Sequence, residues 1–159
     1  MPVPCRLSID NGTPVSITAA PTVVVQATNS ASKPVRIKRI QIQSNQTGAT
    51  QQTVLLQLIT YATATSTGGT TPTANAVDDA LVGVYSPATA FRVGTTTLGT
   101  TPTNKAQWYW NTANPFDITE GMSEIQDEFP VSKIWAILIP VAPSAPFNLT
   151  GTLNFEEFG

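Results

Sequence analysis

Four groupings of side chains in this sequence have the composition for chemistry or for binding. Glu156 and Glu157 are adjacent near the last residue, and two carboxylates facing one cleft can divide acid and base roles. In a strand, however, neighbouring side chains face opposite ways. The two therefore cannot share a substrate, and a solvated strand end is expected. A second acidic group, Asp117, Glu120, Glu124, Asp127 and Glu128, gathers half of the ten acids. It lacks the D-x-[DN]-x-[DN]-G ladder of oxygen ligands that a calcium loop requires. A solvated loop is expected there, with a partner contact through Glu120 and Glu124 as the functional alternative. Four of the eight cations, Lys33, Arg36, Lys38 and Arg39, lie within seven positions. They predict a charged outer strand that blocks edge-to-edge pairing, or else a docking patch for an acidic protein surface. Trp108, Tyr109 and Trp110 form the fourth grouping. In a strand the two tryptophans share one face, so core packing is expected, with a subunit interface or a sugar platform as alternatives.

Composition narrows these choices. The chain has 159 residues and no histidine, which excludes Ser-His-Asp and Cys-His catalysis and imidazole metal ligation. Cys5 is the one cysteine, so neither an internal disulfide nor a thiolate zinc site can form. No metal, cofactor or catalytic residue is expected. The chain carries 11% charged residues, where an average domain has about 25%; 25 threonines fill much of the gap. A pI near 4.9 argues against a nucleic-acid partner. Met1–Arg6 has no basic start followed by an apolar run, so no secretory signal is expected. The longest apolar run, Ile134–Ile139, is far short of the ~20 residues that span a bilayer, and no membrane association is expected. Asn11, Asn45 and Asn148 head N-x-T triplets, but a threonine-rich chain produces such triplets by chance. No phosphate-cradling glycine motif is present.

The elements that must hold these groups are strands. Alternating apolar residues and turn residues predict one all-β domain over 1–159, an antiparallel β-sandwich of the jelly-roll kind with eight or nine short strands and long Thr/Gly-rich loops. In Val35–Gln43 the step from Ile37 to Ile40 is odd, which predicts a β-bulge at Lys38-Arg39 that restores one buried face. Thr53–Tyr61 reads as a strand, with Val54-Leu55-Leu56 buried on both sides. Leu81–Tyr85 and Ala90–Val93 read as short strands, and Lys133–Ile139 as a central one. Asp117–Phe129 reads as a loop with at most two helical turns, since Gly121 and Pro130 interrupt its helical pattern. Pro2, Val3 and Pro4 suggest an extended arm over residues 1–6, available for strand addition to a neighbour.

The order of these segments carries a resemblance. A basic strand (Val35-Arg36-Ile37-Lys38-Arg39-Ile40) precedes Val54–Thr60, a Thr/Gly/Pro loop (Thr67–Pro72), a Trp-centred strand (Trp108–Trp110) and an apolar strand (Ile134–Ile139). The chain then closes on Thr150-Gly151-Thr152-Leu153-Asn154-Phe155-Glu156-Glu157. This resembles small tailed-phage and prophage virion proteins of the capsid decoration, or cement, type. The resemblance implies a non-enzymatic protein on the capsid exterior, assembled in the host cytoplasm and bound to the major capsid protein. It would be a homo-oligomer, with a trimer favoured. A carbohydrate-binding sandwich and a head or tail fibre component are the alternative readings, and a carboxylate-pair hydrolase is the enzymatic one.

Overall fold

The computed structural model describes residues 1–10, 12–46, 48–64, 68–78, 80–81, 84–119 and 128–159. Among them are twelve strands: β1 (Pro2–Ser8), β2 (Val15–Ile17), β3 (Thr22–Thr28), β4 (Val35–Ser44), β5 (Thr53–Tyr61), β6 (Asn75–Ala76), β7 (Ala90–Thr95), β8 (Thr103–Asn111), β9 (Phe116–Thr119), β10 (Glu128–Phe129), β11 (Ile134–Ile139) and β12 (Phe147–Phe158). They form two antiparallel sheets, one ordered β10-β4-β12-β1-β6 with β2 on β12 and β9 on β4, the other ordered β7-β3-β11-β5-β8. The chain is an all-β sandwich. The strands outnumber the eight or nine expected, in part because β2, β6 and β10 are only two or three residues long.

The inner faces follow from alternation. Val35, Ile37, Ile40 and Ile42 of β4 meet Leu149, Leu153 and Phe155 of β12 and Leu7 of β1, opposite Leu56, Leu58, Trp135, Ile137 and Ile139 of the second sheet. Arg39 pairs with Asn154 and Ile37 with Phe155, which leaves Lys38 as the extra residue on β4. The bulge thus sits at Lys38, within the predicted Lys38-Arg39 step.

β11 is the middle strand of the second sheet, and all six of its residues are buried. A strand that apolar must be covered on both faces. Val23, Ile59, Tyr61, Ile134, Ala136 and Leu138 form a second apolar layer, with Ala64 and Leu98 packed on it. The threonine-rich loops supply that cover: Ala62 N–H donates to Thr100 C=O at 3.0 Å and Thr100 N–H to Thr63 C=O at 3.1 Å. The two-sided burial expected at Val54-Leu55-Leu56 falls instead at Leu58–Tyr61, because Leu55 lies beyond the reach of these loops and is only half-buried.

Two expected elements differ. Leu81–Tyr85 is a turn at its described residues: Leu81 N–H donates to Asp78 C=O and Tyr85 N–H to Leu81 C=O, while the Asp78 side chain accepts from Ala80 N–H. An aspartate that bonds the backbone two residues on is a turn former. The helical reading of Asp117–Phe129 fails at both ends, since Ile118 pairs with Ile40 in β9 and Phe129 with Val35 in β10. Positions 120–127 between them, with Gly121, lie outside the described residues.

Gly151 in β12 has a packing role. A Cβ there would lie 2.4 Å from the Gln41 carbonyl oxygen of β4. Gly151→Ala is expected to destabilise the fold by about 1–3 kcal/mol, as forced overpacking does. A lower urea midpoint at constant m-value would report it. An unchanged midpoint would contradict the close approach.

Candidate partner-binding surfaces

The basic segment Lys33–Arg39 does not lie on an outer strand. β4 is enclosed by β12 on one side and by β9 and β10 on the other, so the expectation that its charges guard a sheet edge is corrected: its apolar face draws neighbours to both flanks. Each of the four cations meets an acid of the same chain. Arg36 reaches Glu128 at 3.3 Å, Lys38 reaches Glu156 at 3.8 Å and Lys33 reaches Glu157 at 3.9 Å. Arg39 Nε donates to Asp117 Oδ1 at 2.9 Å, and its second nitrogen holds Oδ2 of the same carboxylate. These bonds, with a smaller contribution from Gln41, hold the Asp117 carboxyl below the ordinary carboxylate range. Arg39–Asp117 and Arg36–Glu128 thus join the basic segment to the two described members of the acidic cluster. Glu120 and Glu124 lie outside the described residues.

Glu156 and Glu157 face opposite sides, as strand geometry requires, but only Glu156 is at the surface. Glu157 has a side-chain exposure of 0%, which overturns the expected solvated strand end. Its position continues the inward series Leu153, Phe155. The buried carboxylate is met by fixed donors: Tyr85 Oη at 2.6 Å and Ala88 N–H at 3.0 Å on Oε2, and Thr89 N–H at 2.6 Å on Oε1. Lys33 Nζ donates to Tyr85 Oη at 2.8 Å and lies 4.3 Å from the ring centre. Burial acts to raise the Glu157 pKa, but the hydrogen bonds from Thr89, Tyr85 and Ala88 outweigh it and the net shift is downward. The Tyr85 phenol is pushed up by burial and by the Glu157 carboxylate. The Cys5 thiol is pushed up to about 12, by burial first and then by Glu157. Such a thiol is inert at neutral pH. The arrangement pins the turn before β7 onto the end of β12. The signal for it was present in the alternation of β12, where position 157 shares a face with Phe155.

Pro2, Val3 and Pro4 belong to β1, which pairs with β12 from Pro2↔Phe158 to Ser8↔Thr152. Residues 2–6 are thus strand rather than free arm. Pro4 C=O accepts from Val77 N–H at 2.9 Å, so residue 4 turns its backbone groups away from β12. Residue 2, with the same parity, does likewise. Both prolines occupy positions that owe no donor to β12, where proline is tolerated at a sheet edge.

On β8, Trp110 is buried, and its Nε1 donates to Asn114 C=O at 2.7 Å. Trp108 is half-buried and sits 5.7 Å from Phe116, edge to face. Both pack on the core. Tyr109 points the other way and is 75% exposed. It borders a groove of about 380 Å³ with Leu55, Val141 and Pro143. The exposed aromatic follows from the same alternation that buries the two tryptophans.

Among the described residues, no group of three His, Cys, Asp or Glu side chains is close enough to hold a metal ion. Comparison with family models, with curated proteins and with solved structures returned no match.

Proposed function

We propose that this chain is a structural protein that acts by binding other protein surfaces: a capsid decoration protein of a tailed phage, built on a jelly-roll sandwich, homo-oligomeric, and seated on the major capsid protein at the capsid exterior. The observation that carries the binding reading is the disposition of the charged side chains. The four clustered cations each meet an acid of the same chain, and the adjacent carboxylates Glu156 and Glu157 face opposite sides of the sheet. Charges so arranged stabilise a surface rather than converge on a substrate. The virion assignment rests on the resemblance carried by the basic strand, the Trp-centred strand and the closing Thr150–Glu157 strand. Turnover of a substrate forms no part of this reading.

The test is co-sedimentation of the full chain with capsids assembled from the major capsid protein of the same phage genome. Saturable binding, with a raised temperature of capsid disruption, is expected. Capsids that neither bind the chain nor gain heat resistance would overturn the assignment.

A further inference from the structure

The sandwich leaves one long strand edge open among its described residues. Every other edge is blunted. β1 presents Pro2 and Pro4, and β6 covers its next two residues, Cys5 and Arg6. β7 is capped where Thr70 and Val93 exchange both backbone hydrogen bonds at 2.9 Å, and Arg92 reaches the Gly68 carbonyl beside it. β2 has three residues, β9 four and β10 two, too few to template a long partner strand. β8 has nine residues, pairs only with β5, and carries Lys105 as its single charge. Long edges with so little charge are templates for another strand.

The groups that face out of this edge follow from its inner pairing. Thr112 N–H donates to Gln52 C=O at 2.9 Å, one step beyond the Thr53↔Asn111 pair. Hydrogen-bonded and non-bonded pairs alternate along an antiparallel ladder. Trp108 and Trp110 therefore bond toward β5, while Gln107, Tyr109 and Asn111 turn their N–H and C=O outward. Asn111 C=O is already taken by Asn114 N–H at 3.0 Å, which agrees with that parity. Gln107 and Tyr109 keep both groups free for a partner.

We propose that two copies of this chain pair antiparallel along β8, about a twofold axis through Trp108. That register sets Gln107 of each copy against Tyr109 of the other and forms four backbone hydrogen bonds. It places Lys105 opposite the second copy's Asn111, so like charges do not meet. The two five-stranded sheets join into one, and Tyr109, 75% exposed in the single chain, comes to lie beside the axis against Gln107 of the second copy. A second copy is the fitting occupant because the edge is complementary to itself, and because a ring of three built by strand pairing needs two different open edges on each copy. The described residues offer one. The strand-paired assembly is a dimer, in place of the trimer that the resemblance favours, and it stands independently of capsid binding.

Sedimentation equilibrium of the full chain should give twice the 16.8 kDa chain mass. Tyr109→Pro removes an outward N–H without touching the ladder to β5, and a folded monomer is expected. Should proline disturb β8, two double variants decide the matter. Gln107→Lys with Tyr109→Lys sets like charges against each other across the axis and should abolish the dimer. Gln107→Glu with Tyr109→Lys sets opposite charges there and should retain it. A monomeric or trimeric wild type would overturn the proposal, as would a dimer that survives the paired lysines or is lost equally in both double variants.

Discussion

Glu157→Gln is expected to destabilise the protein by about 1–3 kcal/mol, the cost of leaving a buried donor without its acceptor. The amide matches the carboxylate in size, so the loss is not one of packing. Both oxygens of Glu157 accept from donors: Thr89 N–H on one, Tyr85 Oη and Ala88 N–H on the other. Glutamine has one acceptor oxygen, and its NH₂ would have to face a backbone N–H that cannot reverse its role. A buried donor would be left unpaired, beside Lys33 with its counter-charge gone. The damage should be local first. Hydrogen exchange at Ala88 and Thr89 should accelerate more than exchange in β11, because these amides depend directly on the carboxylate. Equal acceleration throughout the sheets would show that the residue matters only through global stability.

The same carboxylate sets an acid limit. Its folded pKa lies below the ordinary carboxylate value, and the unfolded value is about 4.3. The folded state therefore binds fewer protons through this interval. The stabilisation is complete above the unfolded pKa and is lost as pH falls through the folded pKa. Asp117, held low by Arg39, contributes with the same sign. Among the groups that face Glu157, the Cys5 thiol at about 12 and the upward-shifted Tyr85 phenol do not titrate in acid. Between about pH 5 and the folded pKa, wild-type stability should decline more steeply than that of Glu157→Gln, and the two curves should converge at low pH. Parallel curves would remove Glu157 as their cause.

Side-chain direction was legible in this chain wherever apolar residues keep strict register. The odd step from Ile37 to Ile40 located the bulge at Lys38, and the unbroken run Ile134–Ile139 identified the middle strand. Glu157 was equally legible from its parity with Phe155, but its charge suggested solvent. The donors that make its burial tolerable, Tyr85, Ala88 and Thr89, lie far away in the chain, and no local pattern announces them. The same holds for β4. Four cations in seven residues look alike on an edge strand and on an inner strand, because the difference lies in whether β9 and β10 pair beside it. Asp117–Thr119 shows a converse failure: spaced acids suggested a loop with at most two helical turns, while the period-two pair Phe116 and Ile118 decided for strand by meeting Ile42 and Ile40.

Trp135→Ala should cost about 3–5 kcal/mol, the range for truncating a large buried aromatic, and the loss should reach the charged face of the first sheet. Trp135 is fully buried in β11 and stacks on Phe129 with ring centres 5.3 Å apart. Its Nε1 donates to Asn29 Oδ1 at 3.1 Å, while Asn29 Nδ2 donates at 2.9 Å to both Phe129 and Pro130 carbonyls. This buried unit holds β10 in place, and β10 carries Glu128 to Arg36. Trp135→Phe separates stacking from hydrogen bonding: it keeps an aromatic ring but leaves Asn29 Oδ1 unpaired, at a cost of about 1–3 kcal/mol. Because the two residues act together, adding Asn29→Ala to Trp135→Phe should cost less than Asn29→Ala costs in the wild type. Full additivity in that double-mutant cycle, measured by urea denaturation, would mean that the indole–amide bond does not couple β11 to β10.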